Sequence, residues 1–238
     1  MTSQPNATAD SDDFEFAALG EANNYRAALL GYFSGYLRGN VLEVGAGIGQ
    51  MTAGLLENPR IEKLLSIEPD TGFCARLRTQ FPRLDLLEGT VDDLQPDSDW
   101  NAVLSINVLE HIETDQEELA AYRRLLLPAR GTLCLFVPAR PEIYAPLDRD
   151  FGHFRRYTRP ELRGRLQRAG FRIVQCRYYN FCGYFAWWMN FCVFKKRSFD
   201  VAAVRLYDRV IFPFPNWVET HICPPPIGQS LIVTAIAE

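Results

Sequence analysis

Several features that carry function in other chains are scarce in this chain of 238 residues. Lysine is rare, because only Lys63, Lys195 and Lys196 stand among 25 basic residues. We attribute the excess of arginine over lysine to genomic base composition. The formal net charge is −4, whereas non-specific nucleic-acid binding needs a basic face. We therefore predict no nucleic-acid partner.

The six cysteines are scattered, and no CxxC pair occurs among them. A chain this long buries a sizeable core without disulfide or metal staples, so the cysteines indicate buried thiols in a reducing compartment. The first thirteen residues are polar and acidic, unlike a signal peptide. We predict a disordered tail over residues 1–13, a single domain over residues 14–238 and a cytoplasmic location.

Short apolar runs alternate with helical patterns along the chain, and no internal repeat is present. The predicted strands are 41–44, 64–67, 84–87, 102–106, 132–137, 172–176 and 230–235. The predicted helices are 14–36, 51–57, 72–81, 115–127 and 159–169. Alternating strands and helices predict an α/β fold with a doubly wound, mostly parallel seven-stranded sheet. We expect a helix before this sheet and an aromatic insertion near its end.

A glycine-rich turn, EVGAGIG over residues 43–49, directly follows the first predicted strand and opens a helix. Glycine allows a tight turn and a close approach to a ligand, and a helix N-terminus there offers unpaired N–H groups. The spacing is G-x-G-x-G, whereas dinucleotide-binding turns have G-x-G-x-x-G. Glu68 ends the second predicted strand, where an acid can accept both hydroxyls of a ribose.

These segments resemble the motifs of class I S-adenosylmethionine-dependent methyltransferases, in particular a bacterial subfamily with LEHI and PLDxxxGHxRRYT segments. EVGAGIG is similar to the first motif, EGTVDDL (88–94) to the adenine-binding segment and SINVLEHI (105–112) to the fourth motif. The resemblance implies S-adenosyl-L-methionine as cofactor, S-adenosyl-L-homocysteine as product and a Rossmann-like fold. It implies that the cofactor is bound by Glu43, Gly45, Ala46, Gly47, Gly49, Glu68, Pro69, Thr90, Val91, Asp92, Asn107 and Val108.

Two positions within these motifs leave alternatives open. Glu43 either meets the amine of the cofactor, directly or through water, or positions the helix that follows the glycines. Thr90 stands where an aspartate is common in the family, so Asp92 is the alternative contact for the adenine amine.

The LEHI segment raises the question of a metal. Glu110 and His111 either anchor their loop to the neighbouring helix or take part in the chemistry. Ubiquinone-type O-methyltransferases hold a metal here with an ExxEH pattern. In this chain Asn107 occupies the first position, and neutral amides are poorer ligands than carboxylates for hard cations. We therefore predict no metal site.

The segment 138–157 after the fifth predicted strand indicates an acceptor side, since long loops at the carboxyl edge of a parallel sheet commonly build the site. His153 is a candidate general base, because histidine titrates near physiological pH. The alternative is a hydrogen bond from His153 that fixes the loop. The catalytic candidates are His153, Tyr144 and His111. The candidate substrate-binding residues are Tyr144, His153, Arg155, Arg156, Tyr157 and Trp187.

Arginine is concentrated on this side, with ten Arg against four acids between residues 140 and 177. The local excess is a hint of an anionic acceptor or a membrane surface. Arg155 and Arg156 can hold an acidic group of the substrate by bidentate pairing. Alternatively, they form salt bridges to Asp148 or Asp150.

Fourteen of the thirty aromatic residues lie between residues 178 and 217. The stretch 178–194 carries no charge but is shorter than the roughly 20 residues of a spanning helix. With 138–160, the segment 178–226 forms the predicted acceptor-side insertions. We expect 178–194 to be a lid, a homodimer face or a helix at the inner membrane face. In the last case Trp187, Trp188 and the Lys195-Lys196-Arg197 cluster lie at the headgroups.

Together these patterns predict methyl transfer from S-adenosylmethionine to an oxygen of a small-molecule, lipid-linked or glycan-linked acceptor. N-methylation of a small molecule, an NAD-dependent oxidoreductase and a cofactor-binding protein without catalysis are the alternatives. The missing GxGxxG and the LEHI segment count against the oxidoreductase.

Overall fold

One seven-stranded sheet organises the chain, and the computed structural model describes residues 20–94 and 99–238. The sheet order is β3-β2-β1-β4-β5-β7-β6, and β7 runs antiparallel to both of its neighbours. The predicted α/β class and the mostly parallel sheet are confirmed. The strands are β1 (Gly39–Val44), β2 (Ile61–Glu68), β3 (Asp85–Glu88), β4 (Ala102–Ile106), β5 (Thr132–Pro138), β6 (Phe171–Tyr179) and β7 (Ser230–Ala237).

The helices lie between these strands and before the first of them. They are α1 (Asn23–Phe33), α2 (Thr52–Leu56), α3 (Thr71–Gln80), α4 (Asp115–Leu126), α5 (Pro146–Asp150), α6 (Arg159–Arg168), α7 (Phe181–Trp187), α8 (Val201–Leu206) and α9 (Pro213–His221). Two helices continue as π-helical turns, α7 through Trp188–Val193 and α8 through Tyr207–Ile211. The helix predicted over 14–36 is interrupted within the described residues, since Gly20 is helical, Glu21 and Ala22 are not, and α1 begins at Asn23. Its first residues and the tail predicted over 1–13 lie outside the described residues.

The central strands β4, β5 and β7 are covered on both faces, which explains why most of their residues are apolar. On β5, Leu133 and Leu135 pack into one hydrophobic cluster, whereas Cys134 and Phe136 belong to the cluster on the opposite face. Successive side chains of a strand point to opposite faces, so a strand covered on both sides needs apolar residues throughout.

The glycine-rich turn and the fourth-motif segment meet at the carboxyl ends of β1 and β4. These strands are neighbours, and Val44 of β1 pairs with Ser105 of β4. From β1 the chain crosses to β2 on one side, while β4 lies on the other. This reversal opens the crevice in which open α/β sheets bind ligands.

The C-terminal insertion is attached at the carboxyl end of β6, on the same edge of the sheet. Glu219 of α9 accepts hydrogen bonds from the backbone N–H groups of Asn180 and Phe181, both at 2.8 Å. Phe212 packs against Tyr25 of α1 and Tyr179 of β6, with ring centroids 5.0 and 6.4 Å away. Across the described residues, no helix has both the length and the apolarity needed to cross a membrane.

A buried carboxylate from the insertion caps α1, and its loss is the first test of this architecture. The residue before α1, Ala22, supplies no side-chain cap. Instead Asp208 accepts from Asn24 N at 3.0 Å and from Tyr25 N at 2.9 Å. We expect Asp208→Ala to lower the free energy of unfolding by about 1–3 kcal/mol, because two partly buried N–H groups at the start of α1 lose their acceptor.

Urea denaturation measures this effect, and Asp208→Asn is the matched variant because its amide oxygen still accepts. The asparagine variant should lose less than the alanine variant. An alanine variant as stable as the wild-type protein would contradict this link between the insertion and α1.

Candidate functional site

The glycine-rich turn packs so closely against its neighbours that only glycine fits at two of its positions. Gly45 and Gly49 have φ of 71° and 86°, a backbone region that residues with a Cβ rarely adopt. A Cβ on Gly45 would lie 2.4 Å from Val108 Cγ2, and one on Gly49 would lie 2.4 Å from a ring carbon of Phe81. The predicted residues Gly45 and Val108 are therefore in direct contact across the crevice.

The Glu68 carboxylate, at the end of β2, shapes this turn. Its Oε2 accepts from Gly47 N at 2.7 Å, and its Oε1 accepts from Asp70 N at 2.9 Å. Burial raises the pKa of Glu68, and the two backbone hydrogen bonds oppose that rise. A carboxylate oxygen has a second lone pair, so both oxygens can also accept from hydroxyl groups. The contact with Gly47 is one that the sequence did not reveal.

Glu43 is buried and turned toward the interior. Its Oε2 accepts from Thr52 Oγ1 of α2 at 2.8 Å and from Ser66 Oγ of β2 at 2.5 Å. Burial raises the pKa of Glu43 to about 7, against the effect of these two hydrogen bonds. Of the two roles left open, the contact that positions the following helix is present. The contact with the cofactor amine stays a prediction.

The predicted adenine side lies after β3. Val91 is buried, and Thr90 N donates to Asp93 Oδ2 at 2.8 Å. The side chain of Asp92 is 80% exposed and faces Arg124 of α4 at 3.5 Å, a surface pair that adds little stability. The predicted contacts of Thr90, Val91 and Asp92 with adenine stay predictions.

Asn107 follows β4 with a left-handed backbone. Its φ is 53°, which asparagine tolerates better than most residues. Its N–H donates to Phe136 O of β5 at 2.9 Å, so the exposed side chain stands at the carboxyl edge of the sheet. The predicted place of Asn107 beside the methionine part of the cofactor is compatible with this position.

The acceptor-side loop, residues 139–157, is closed by backbone hydrogen bonds at its base. Tyr157 N donates to Pro138 O, and Arg140 N donates to Tyr157 O, both at 2.9 Å. Phe154 N donates to Glu110 O of the LEHI segment at 2.8 Å. The loop therefore lies over the carboxyl ends of β4 and β5, next to the crevice.

Inside this loop, Asp148 holds His153. Asp148 Oδ1 lies 2.9 Å from His153 Nδ1 and accepts from Arg156 Nε at 2.8 Å. Its Oδ2 accepts from Ala145 N at 2.7 Å. Burial would raise the pKa of Asp148, but the hydrogen bond to His153 and the charge of Arg156 outweigh it and lower that pKa. An ionised Asp148 makes Nδ1 of His153 the donor, so the lone pair of the neutral ring is on Nε2.

His111 and Glu110 complete a cluster with His153. The two imidazole rings meet edge to face, with centroids 4.7 Å apart. Ligand atoms of Glu110, His111 and His153 all lie within 4.8 Å of one another, a donor set able to hold a metal ion or to move a proton. Desolvation by the surrounding protein and the nearby His153 ring lower the pKa of His111 to about 4. The prediction of no metal site stays a prediction.

Two predicted substrate ligands, Arg155 and Arg156, have internal partners instead. Arg156 is buried, pairs with Asp148 at 2.8 Å and lies 4.3 Å from the centroid of the Trp187 ring. Arg155 pairs with Asp115 of α4, also at 2.8 Å. The predicted salt bridge to Asp148 therefore describes Arg156, whereas the partner of Arg155 is Asp115, which was not among the expected acids. Each arginine faces a buried carboxylate that needs a counter-charge.

Three further candidates are also engaged within the protein. Tyr157 is fully buried, and its hydroxyl donates to Asp115 Oδ2 at 2.8 Å. The buried indole of Trp187 donates to Ile143 O at 3.0 Å. Tyr144 donates to His153 O at 2.7 Å. In this conformation Tyr157 and Trp187 support the loop and leave no polar atom for a substrate, whereas Tyr144 is half-buried at its surface.

The functional importance of two carboxylates of this site, Asp148 and Asp115, was not predicted from the sequence. Asp148 was considered only as a counter-ion, although it orients His153. Asp115 holds Tyr157, Arg155 and Arg165 together. The segment PLDRDFGH places Asp148 five residues before His153, and this spacing is the signal that could have revealed the pair.

The raised pKa of Glu43 gives a test of the buried end of the site. A carboxyl with a folded-state pKa near 7 stabilises the protein fully below its ordinary value of 4.5 and loses that contribution as the pH rises through 7. Glutamine does not titrate but keeps a polar side chain for Thr52 and Ser66. We therefore expect the free energy of unfolding of Glu43→Gln, measured relative to wild type, to rise by about 2 kcal/mol from pH 5 to pH 8.

Urea denaturation at both pH values measures the difference. Glu62→Gln, at an exposed position of the same sheet, is the matched control and should show no such change. A difference between Glu43→Gln and wild type that is constant with pH would mean that Glu43 ionises normally.

Comparisons with known proteins agree with this geometry. A family model described as a methyltransferase domain matches residues 18–176. A probable S-adenosylmethionine-dependent methyltransferase of Mycolicibacterium smegmatis is 26% identical over 137 residues, which are 56% of this chain and 52% of that protein. The match thus spans about half the length of this curated relative.

Solved structures share the fold across nearly the whole chain. A putative sarcosine dimethylglycine methyltransferase from Galdieria sulphuraria has a TM-score of 0.60 at 12% identity, covering 95% of this chain and 97% of that one. An S-adenosylmethionine-dependent methyltransferase from Archaeoglobus fulgidus has a TM-score of 0.58 at 16% identity, with the same coverage of 95% and 97%. The family match over residues 18–176 shows that the chain belongs to the methyltransferase domain family, and the solved structures show that it shares the fold of S-adenosylmethionine-dependent methyltransferases.

Proposed function

We propose that this chain methylates an oxygen of a small-molecule, lipid-linked or glycan-linked acceptor, with His153 as the general base. The observation that carries the proposal is the pair of Asp148 and His153 at the carboxyl edge of the sheet. S-adenosylmethionine, when bound, supplies an electrophilic methyl group. A hydroxyl acceptor must lose its proton during the transfer, so a positioned base accelerates the reaction.

The residues at the crevice suit the cofactor in shape and in chemistry. A Cβ on Gly45 would overlap Val108, so only glycine lets the turn pack directly against the segment after β4, at the edge of the crevice where the cofactor would lie. The Glu68 carboxylate is fixed by Gly47 and Asp70 and retains lone pairs for the ribose hydroxyls. Glycine-turn N–H groups and Glu68 would bind and orient the cofactor, and Asn107 would lie along it.

On the acceptor side, the protein would hold a single orientation of the base. Asp148 fixes the ring of His153 through Nδ1, and the proton of the acceptor hydroxyl would go to Nε2. His111, with its pKa near 4, is neutral at physiological pH and does not repel the charge that His153 gains. Tyr144 keeps the backbone of His153 in place through its hydroxyl.

An amine acceptor is the second candidate, because a protonated amine also needs a base before transfer. We prefer an oxygen acceptor because the Asp148–His153 arrangement suits a weakly acidic hydroxyl. The buried arginines nearby are already paired with carboxylates of the protein. The six cysteines are all thiols, which supports a reducing compartment such as the cytoplasm.

The identity of the transferred position is tested by incubating the protein with methyl-labelled S-adenosylmethionine and lipid and polar extracts of the source cell. The carbon-13 shift of the transferred methyl separates a methoxy from an N-methyl product. We expect a methoxy product. An N-methyl product would refute O-methylation while keeping the methyltransferase, and no transfer to any extract would refute both.

Glu68 is the residue on which cofactor binding should depend most. We expect Glu68→Ala to weaken binding of S-adenosylhomocysteine by at least about a hundredfold, because it removes the ribose acceptors and frees the Gly47 turn. Isothermal titration calorimetry measures this affinity. Glu62→Ala, on the exposed part of the same strand, is the control and should bind normally. Wild-type affinity of Glu68→Ala would show that the motif assignment is wrong.

His153 should affect catalysis without affecting cofactor affinity. We expect His153→Ala to lower kcat by about 10²–10⁴-fold while the Kd for S-adenosylhomocysteine stays unchanged. Asp148→Asn should lower kcat in the same direction, because an amide can favour the wrong tautomer of His153. His221→Ala, at an exposed histidine of α9, is the control.

A chelator separates the base from a metal held by the same cluster. Activity that survives EDTA but not His153→Ala supports the base. Activity that EDTA removes and a divalent cation restores would assign Glu110, His111 and His153 to a metal instead. A His153→Ala variant with wild-type kcat at every pH would remove His153 from the chemistry.

A further inference from the structure

The C-terminal insertion carries most of the large apolar side chains that reach solvent. Among residues 20–94 and 99–238, sixteen large hydrophobic residues are exposed, and twelve of them lie between residues 181 and 222. Single exposed apolar residues are ordinary on protein surfaces, but their concentration in one segment marks an interaction site.

The first part of this surface is a stripe along α7 and its π-helical turn. The spacing of four, three and one residues places its members on one helical face. The stripe consists of Phe181, Phe185, Trp188 and Met189. The opposite face is also apolar and is buried, since Trp187 and Phe191 pack against the acceptor-side loop around Ile143. The helix therefore has one apolar face in the protein and a second one without a partner among the described residues.

The second part is a stripe along α8, its π-helical turn and α9. It consists of Leu206, Val210, Phe214 and Trp217. The side chains of Val210 and Phe214 are 67% and 71% exposed, although the spacing of four residues is one that normally marks a core-facing stripe. The two stripes belong to one unit, because Glu219 of α9 binds the N-terminus of α7.

The exposed charged side chains of residues 181–222, the segment that carries both stripes, are almost all positive. Of the three acids in residues 181–222, Asp208 and Glu219 are buried and hydrogen-bonded inside the protein, which leaves Asp200 at the surface. The exposed cations are Lys195, Lys196, Arg197, Arg205 and Arg209. Arg197 pairs with Asp150 and Arg205 pairs with Glu21. The other three form no ion pair with any described residue, in a chain whose net charge is −4.

We propose that the two stripes and these cations form a docking face for an anionic lipid bilayer. The aromatic and aliphatic side chains would lie at the level of the headgroups, and Lys195, Lys196 and Arg209 would meet lipid phosphates. A second copy of the chain suits this face less well. A two-fold interface brings the same patch of both subunits together, so it would set these cations against their own like charges.

The docking face is coupled to the acceptor side through Trp187. Its indole donates to Ile143 O at 3.0 Å, and its ring contacts the Arg156 guanidinium that Asp148 also binds. A bilayer bound to the face would therefore be separated from the acceptor-side loop only by α7. That this serves a lipid-linked acceptor rests on the proposed function, whereas the docking itself does not.

Vesicle flotation of the full chain tests the docking. We expect at least tenfold stronger partition into vesicles of phosphatidylglycerol and phosphatidylethanolamine than into phosphatidylcholine vesicles, with a loss at high salt. The double variant Phe214→Ser with Trp217→Ser should lower the partition at least tenfold. Leu56→Ser, an exposed leucine of α2, is the matched control and should partition normally.

A second pair of variants tests the charges. Lys196→Glu with Arg209→Glu should reduce the partition into anionic vesicles to the level of phosphatidylcholine, with an unchanged melting temperature. Brominated lipid provides a direct readout, because it should quench the exposed Trp188 and Trp217 and not the buried Trp100. Part of that quenching should disappear in Trp217→Phe.

The absence of partition, or an equal partition into both kinds of vesicle, would overturn the proposal. A dimer in solution that Phe214→Ser with Trp217→Ser converts to monomer, without vesicle binding, would assign the face to a second copy. Methyl transfer measured with extracted acceptors in detergent keeps the two questions apart. Normal transfer without vesicle binding rejects only the docking, and vesicle binding without transfer rejects only the proposed function.

Discussion

The acceptor side depends on one buried charge, the carboxylate of Asp148. It accepts from Arg156, from the backbone of Ala145 and from His153. A buried carboxylate is stable only when such partners compensate its lost hydration. The partners in turn hold the acceptor-side loop, because Arg156 reaches the insertion through Trp187 and also donates to Ala139 O at the end of β5. Asp148, which orients His153, thus also connects the insertion to the sheet through Arg156.

On the cofactor side, the buried carboxylate of Glu68 has partners of a different kind. Glu68 has no cation among its hydrogen-bond partners in the described residues and is held by two backbone N–H groups. A carboxylate without a bound cation keeps its capacity to accept from hydroxyl groups, which a bidentate arginine would occupy. The contrast between Glu68 and Asp148 is the one that the proposed binding of ribose hydroxyls by Glu68 would require.

The fold and the position of the glycine-rich turn were predictable because their signals are local. The apolar runs gave all seven strands, and EVGAGIG with Glu68 marked the turn and the strand end that form the crevice. The acceptor side was harder, because the roles of its side chains depend on contacts between distant segments. In the sequence, the adjacent Arg155 and Arg156 resemble an anion-binding site. In the fold, Asp115 on α4 and Asp148 on α5 neutralise them. Tyr157 was misjudged for the same reason, since its hydroxyl meets Asp115, 42 residues away.

The aromatic excess of the insertion has two physical origins that a count of residues cannot separate. One set of rings builds a small core, in which Trp187, Phe191 and Phe199 pack in tilted and edge-to-face contacts and cover the acceptor-side loop. The other set faces outward, with Trp188 on the π-helical turn that also carries Phe191 and with Phe214 on α9. A helix that is apolar on both faces is stable in water only if one face is packed, and its other face then favours an apolar or interfacial environment. The inward rings therefore fix the orientation in which the outward rings are presented, so the structure of the acceptor side also determines where the docking face points.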